Sequence, residues 1–153
     1  MIKKIAVALD GSEAADKALD FALDFADRYR SEIVLVSVIP PSYDYFYALA
    51  RARSGSQIEE DEYVKGLTDY HKRVLSSALK IAKKVKPNLK ISTKLLEGPP
   101  SDAIVQYVRE EKCGMVILGG RGLGWRASMK ELFLGSVSHR VADRAPCPVL
   151  IVK

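Results

Sequence analysis

The pattern of apolar and polar positions switches between two periods along this chain of 153 residues. Lys4 to Leu9 is a short apolar run, which predicts a buried strand. Asp10-Gly11-Ser12 punctuates it, and Ser12 is a good N-cap for the next segment. Ala15, Ala18, Leu19, Ala22, Phe25, Ala26 and Tyr29 then recur at three- and four-residue spacing, predicting an amphipathic helix to about Arg30. Ile33 to Ile39 is rich in β-branched residues and predicts a second strand, stopped by Pro40-Pro41.

Residues 40–56 show neither period. Tyr43, Tyr45, Phe46 and Tyr47 cluster there beside Arg51 and Arg53, as a lid, a subunit contact or a loop with one packed aromatic. A long helix is predicted from about Gln57 to Val85, because Leu67, His71, Val74, Ala78, Ile81 and Val85 alternate steps of four and three. His71 lies within that apolar face, where a histidine is more often packed and hydrogen-bonded than a ligand. Leu89 to Leu96 alternates and predicts a strand. Gly98-Pro99-Pro100-Ser101 opens a helix through about Lys112, with Gly114 placed to end it as a C′ glycine. Met115 to Leu118 is a fully apolar strand, and a glycine-rich segment comes after it. A helix carrying Val137, Val141 and Ala142 comes next, and Val149 to Val152 is a last strand. Strands separated by helices require right-handed crossovers and a parallel sheet covered on both faces, an α/β class. The chain, 1–153, is expected to be one domain.

Composition narrows the function classes. Apolar residues make up 48% and charged residues 28%, as in a soluble globular domain. No apolar stretch approaches the roughly 18 residues of a membrane span, and the N-terminus lacks a secretory pattern. A cytoplasmic protein without membrane contact is expected. Cys113 and Cys147 lack metal-ligand spacing and are expected to be reduced core or turn residues. The net charge of +5 is not gathered in one tract. Residues 1–32 hold five basic and seven acidic side chains, whereas residues 119–144 hold five basic and two acidic ones. That excess suits a phosphate-bearing small molecule or a solvated surface, and nucleic acid is not expected.

Two strand ends carry unusual chemistry. The first strand runs into Asp10-Gly11-Ser12, and the fourth into Gly119-Gly120-Arg121-Gly122. If these strands are adjacent, both turns share the crevice at the carboxyl end of the sheet. Glycines let backbone N–H groups approach an anion, and Gly135-Ser136 precedes a helix whose first N–H groups lack internal partners. Ser136 and Ser138 can add hydroxyl donors, and Arg121 can neutralise charge. Asp10 suits a ribose hydroxyl or a magnesium ion, or serves only as a turn residue. Gly135-Ser136 can equally be a break between two short helices. Ser128 and Glu131 form a capping-box pattern ahead of Leu132-Phe133, predicting a helical turn before Gly135 and a restart capped by Ser136.

On these residues the chain resembles the universal stress protein family. The similarity covers nearly the whole length: Asp10-Gly11-Ser12, the strand IVLVSVIP, the GPPSDAI turn and the ending GSVSHRVADRAPCPVLIVK. The ATP-binding branch of that family carries glycine, two residues, glycine, nine residues, then glycine and serine or threonine. Gly119, Gly122 and Gly135-Ser136 match its ends, but twelve residues, Leu123 to Leu134, stand where the pattern has nine. Trp125 and Arg126 lie in this longer excursion. The resemblance implies an open five-stranded parallel sheet in the order 3-2-1-4-5, like that of the adenine nucleotide α-hydrolases. It implies ATP, with magnesium or manganese, as the cofactor. Asp10 would contact ribose or metal, and Ala8 and Val38 would line the adenine pocket. Gly119, Gly122, Gly135, Ser136, Val137 and Ser138 would hold ribose and phosphates. It also implies a homodimer through Val149 to Val152.

No Walker lysine motif and no nucleophile–base arrangement is present, so hydrolysis is expected to be weak at most. The leading expectation is therefore a regulatory, ATP-binding stress-response protein. The alternative is a dimeric scaffold of the same family that binds no nucleotide. An adenylating enzyme ranks last, because Leu9-Asp10-Gly11-Ser12-Glu13 lacks the double glycine of such loops.

Overall fold

The structure, a computed structural model, describes residues 1–41, 60–121 and 135–153, without the side chains of Glu60, Asp61 and Tyr63. Strands β1 (Lys4–Ala8), β2 (Glu32–Ile39), β3 (Ile91–Glu97), β4 (Met115–Gly119) and β5 (Val149–Val152) alternate with helices α1 (Glu13–Tyr29), α2 (Glu60–Val85), α3 (Pro100–Glu110) and α4 (Ser136–Arg144). All the strand pairs are parallel, and the order is β3-β2-β1-β4-β5. The open five-stranded parallel sheet expected from the sequence is therefore the fold.

Side chains point to opposite faces at alternate positions of a strand, and the core divides accordingly. Ile5, Val7, Leu9, Ile33, Leu35 and Ile117 face α1 and α2, packing against Leu19, Leu23, Leu75 and Ala82. Ala6, Val34, Val36, Val38, Val116 and Leu118 face α3 and α4, packing against Ile104, Val105, Val108 and Val141. This two-sided burial explains why β1, β2 and β4 read as continuous apolar runs.

Local chemistry sets the helix ends. Ser12 caps α1, its Oγ accepting from the Ala15 N–H at 3.2 Å. Helix α3 stops at Glu110 rather than Lys112, and Gly114 is not its terminator. The left-handed residue is Lys112, at φ 51°. The Cys113 N–H bonds back to Val108 and the Lys112 N–H to Arg109, the paired bonds of a Schellman motif. Gly114 has already joined the sheet, donating to the Lys4 carbonyl at 2.9 Å. Strand β3 begins at Ile91, not Leu89, because the Leu89 N–H is held in a turn by the Lys86 carbonyl. The N-cap of α4 is Gly135, and Ser136 is its first helical residue rather than its cap. The expected start of the long helix at Gln57, the aromatic cluster at 43–47 and the helical turn at 128–134 lie outside the described residues.

Candidate functional site

From β1 the chain crosses through α1 to β2, whereas β4, on the other flank of β1, is reached through α3. The sheet order reverses between β1 and β4, and a crevice opens beyond the carboxyl ends of such a strand pair. Asp10-Gly11-Ser12 and Gly119-Gly120-Arg121 both stand there. The register pairs Ala8 with Leu118, so the two turns leave the sheet side by side. A hydrogen bond also links them, from Ser12 Oγ to the Arg121 carbonyl at 3.4 Å.

The acidic turn is held at several points. Asp10 Oδ1 accepts from the Ser12 N–H at 2.9 Å, the bond of an Asx turn. The Asp10 carbonyl accepts from the Tyr70 hydroxyl at 2.8 Å. Gly11 has φ +83°, and a Cβ built there would stand 2.3 Å from the Tyr70 hydroxyl oxygen. Ser37 donates its only hydroxyl proton to the Leu9 carbonyl at 2.7 Å. Its oxygen therefore accepts from His71 Nδ1, 2.8 Å away, and the neutral imidazole carries its proton on Nδ1. His71 is 8% exposed. Burial pushes its pKa below the ordinary histidine range, and the Asp10 carboxylate acts in the opposite direction. The Tyr70 phenol is pushed up by burial and then by the charge of Asp10.

The glycine-bearing side is held differently. A Cβ on Gly119 would lie 2.7 Å from the Ala14 carbonyl carbon, so this glycine lets the first turn of α1 sit against the end of β4. The Gly120 N–H donates to the Val152 carbonyl at 2.7 Å. Its own carbonyl accepts from the Gly135 N–H at 2.7 Å, which brings the start of α4 against the end of β4. Ser138 is 2% exposed. Its hydroxyl proton is shared between the Gly120 carbonyl at 3.1 Å and the Gly135 carbonyl at 2.9 Å. Helix α4 has no side-chain cap and no acidic residue in its first turn. Its first N–H groups keep their donor capacity and the positive end of the helix dipole.

Of the residues singled out from the sequence, Ala8 and Val38 lie on the sheet face covered by α3 and α4. Asp10 lies at the β1 turn, and Gly119 and Arg121 at the β4 turn. Gly135, Ser136, Val137 and Ser138 form the start of α4, with Ser136 exposed and Val137 half-buried. Gly122 and the excursion with Trp125 and Arg126 lie outside the described residues. Among the described residues no three His, Cys, Asp or Glu side chains group as a metal site. A magnesium ion here would take one ligand from Asp10 and the rest from phosphate oxygens and water, which is how nucleotide-bound magnesium is usually held. Tyr70 and Ser37 were not predicted. They lie 60 and 28 residues from the carbonyls they bond, and no local pattern marks such a pairing.

His71 is packed and hydrogen-bonded, as its place on an apolar face implied. Cys113 is buried and Cys147 half-buried, and both are free thiols. No helix among the described residues is long and apolar enough to cross a membrane.

Comparison with known proteins agrees with this architecture. MJ0531, a universal stress protein of Methanocaldococcus jannaschii, is 31% identical over 155 residues, covering all of this chain and 83% of its own. The solved structure of MJ0577 from the same organism superposes with a TM-score of 0.78 at 28% identity, covering 100% of this chain and 96% of its own. A universal stress protein solved in complex with cAMP superposes with a TM-score of 0.69 at 25% identity, covering 99% and 97%. The sequence profile of the universal stress protein family matches residues 1–153, and the chain belongs to that family.

Proposed function

We propose that this protein binds ATP at the crevice between β1 and β4 and acts as a regulatory stress-response protein with weak hydrolysis at most. The observation that carries this reading is the joint made by Gly120 and Gly135. The 2.7 Å bond between them sets the uncapped start of α4 beside the turn after β4, next to the acidic turn of β1. Phosphates would lie on the first N–H groups of α4 with Gly119, Gly122, Ser136, Val137 and Ser138, and Arg121 would offset their charge. Asp10 would accept from ribose or bind the magnesium ion. Ala8 and Val38 would line the adenine pocket from the sheet. The family member solved with cAMP supports an adenine nucleotide as the ligand class.

Nucleotide analysis of gently purified protein, with a thermal-shift titration by magnesium-ATP, tests this. Binding raises the melting temperature by mass action. No co-purified nucleotide and no shift at millimolar ATP would sink the proposal. The twelve residues between Gly122 and Gly135 favour a second reading, a nucleotide-free scaffold. Under that reading a bulky residue at Gly122 changes nothing, because neither form responds to ATP.

We also propose a cytoplasmic homodimer formed through β5. Strand β5 is an edge of the sheet with four half-buried residues, and an edge strand is the kind of element that pairs with a second copy. Light scattering on the intact chain and on a Leu150→Pro variant tests the interface. A wild-type monomer at micromolar concentration would remove it.

A further inference from the structure

The described network includes contacts that no phosphate or ribose role accounts for. Helix α2 covers the face of the sheet opposite α3 and α4. Two of its neighbouring residues nevertheless reach the turn that carries Asp10. Tyr70 donates to the Asp10 carbonyl at 2.8 Å. His71 donates to Ser37, which donates to the Leu9 carbonyl at 2.7 Å. The third residue of the turn completes the fit. Gly11 leaves open the space that the Tyr70 hydroxyl occupies, since a Cβ there would meet it at 2.3 Å. Three consecutive residues, Leu9, Asp10 and Gly11, are thus seated by one helix. The rings of Tyr70 and His71 meet edge to face, with centroids 5.1 Å apart, so each restricts the other.

We propose that Tyr70 and His71 are positioning residues for the nucleotide site, fixing the Leu9–Gly11 turn and so the aim of the Asp10 carboxylate from the far side of the sheet. This rests on the nucleotide reading above. Both side chains bond main-chain carbonyls through or beside β2, and neither needs to touch the ligand. A polar pair held by hydrogen bonds, with His71 buried and Tyr70 half-buried, resists rotation, and the carbonyls it holds set the direction of the next side chain. Asp10 in turn caps its own turn through the Ser12 N–H, so a shift of its carbonyl moves its carboxylate as well. The converse also holds. A ligand that tightens the Asp10 turn stabilises the α2 contacts, which gives α2 a way to report occupancy on the opposite face.

The test uses the full chain and measures ATP affinity by calorimetry beside the melting temperature. The variants are Tyr70→Phe, His71→Leu and His71→Asn, with Leu23→Ala as a packing control. Leu23 is 1% exposed in the core, in the second half of α1, and bonds nothing in the turn through its side chain. Losing one oriented hydrogen bond is expected to weaken ATP binding about three- to tenfold in Tyr70→Phe and His71→Leu. His71→Asn, whose amide can donate from the Nδ1 position, is expected to restore most of that loss. Leu23→Ala is expected to lower the melting temperature further while leaving affinity within twofold. Amide exchange at Ser12 in the nucleotide-free protein supplies a second readout and should quicken in Tyr70→Phe. The proposal is overturned if Tyr70→Phe and His71→Leu bind ATP within twofold of wild type, or if affinity merely tracks melting temperature across the set. If wild type itself binds no ATP, the nucleotide reading fails and this inference falls with it.

Discussion

A Cβ on Gly119 would stand 2.7 Å from the carbonyl carbon and 2.8 Å from the Cβ of Ala14. The glycine that opens the proposed phosphate segment is therefore also a packing residue, placed where α1 crosses the end of β4. Gly119→Ala is expected to destabilise the protein by about 2 kcal/mol or more, because backbone, not a flexible side-chain tip, must give way. Urea unfolding in the absence of nucleotide measures this. An unchanged midpoint would remove the packing role and leave the ligand as the reason for glycine.

Two serines of one helix turn are expected to separate stability from binding. Ser138 is buried, and its hydroxyl bonds the carbonyls of Gly120 and Gly135. Ser138→Ala removes the buried hydroxyl bond, while Gly120 keeps the Gly135 N–H and Gly135 keeps the His139 N–H, and should cost about 0.5–1.5 kcal/mol. Ser136 is exposed at the first position of α4, so Ser136→Ala should change stability by less than about 0.5 kcal/mol. Under the proposed function it should still weaken ATP binding. Equal stability losses in the two variants would contradict this division.

His71 makes stability depend on pH in a defined direction. Its ordinary value is 6.5, and burial lowers it in the folded protein, against the opposing charge of Asp10. Among the described residues, the groups at the ring include the Ser37 hydroxyl from β2, the Tyr70 phenol from its own helix and the Asp10 carboxylate from the β1 turn. As pH falls through 6.5 the unfolded chain takes up a proton that the folded protein resists, so folding stability drops. The loss levels off once folded His71 is also protonated. The melting temperature of wild type between pH 8 and 5 should fall more steeply than that of His71→Asn. Parallel curves would show that His71 does not carry the effect.

The two thiols should differ in reactivity. Burial pushes Cys113 up to about 11, with Lys4 opposing it. Cys147 is raised by burial too, but it is only half-buried. The Cys113 thiol therefore stays protonated at pH 8, and the folded core shields it. Iodoacetamide labelling followed by peptide mass spectrometry should modify Cys147 first, and Cys113 mainly after unfolding. Faster modification of Cys113 would overturn this order.

The sequence by itself determined the elements and the class of sheet. The three- and four-residue spacing on α1 and the continuous apolar runs of β1, β2 and β4 follow from burial on one helix face or on both sheet faces, and burial leaves a local pattern. Ser12 was legible as a cap for the same reason: its partner, Ala15, is three residues away. Helix ends set by tertiary contact were not. Gly114 has the residue type of a terminator, yet the Lys4 carbonyl claims its N–H, and Lys112 takes the left-handed position instead. The candidate site divides along the same line. Its glycines, Asp10 and the start of α4 stand out in the chain, because turns and helix starts have compositional signatures. Only the folded chain decided that Gly135 bonds Gly120, that Gly119 yields to Ala14, and that Tyr70 and His71 hold the Asp10 turn. Those pairings join residues far apart in the chain. Their geometry depends on strand order and helix placement, which no local spacing encodes.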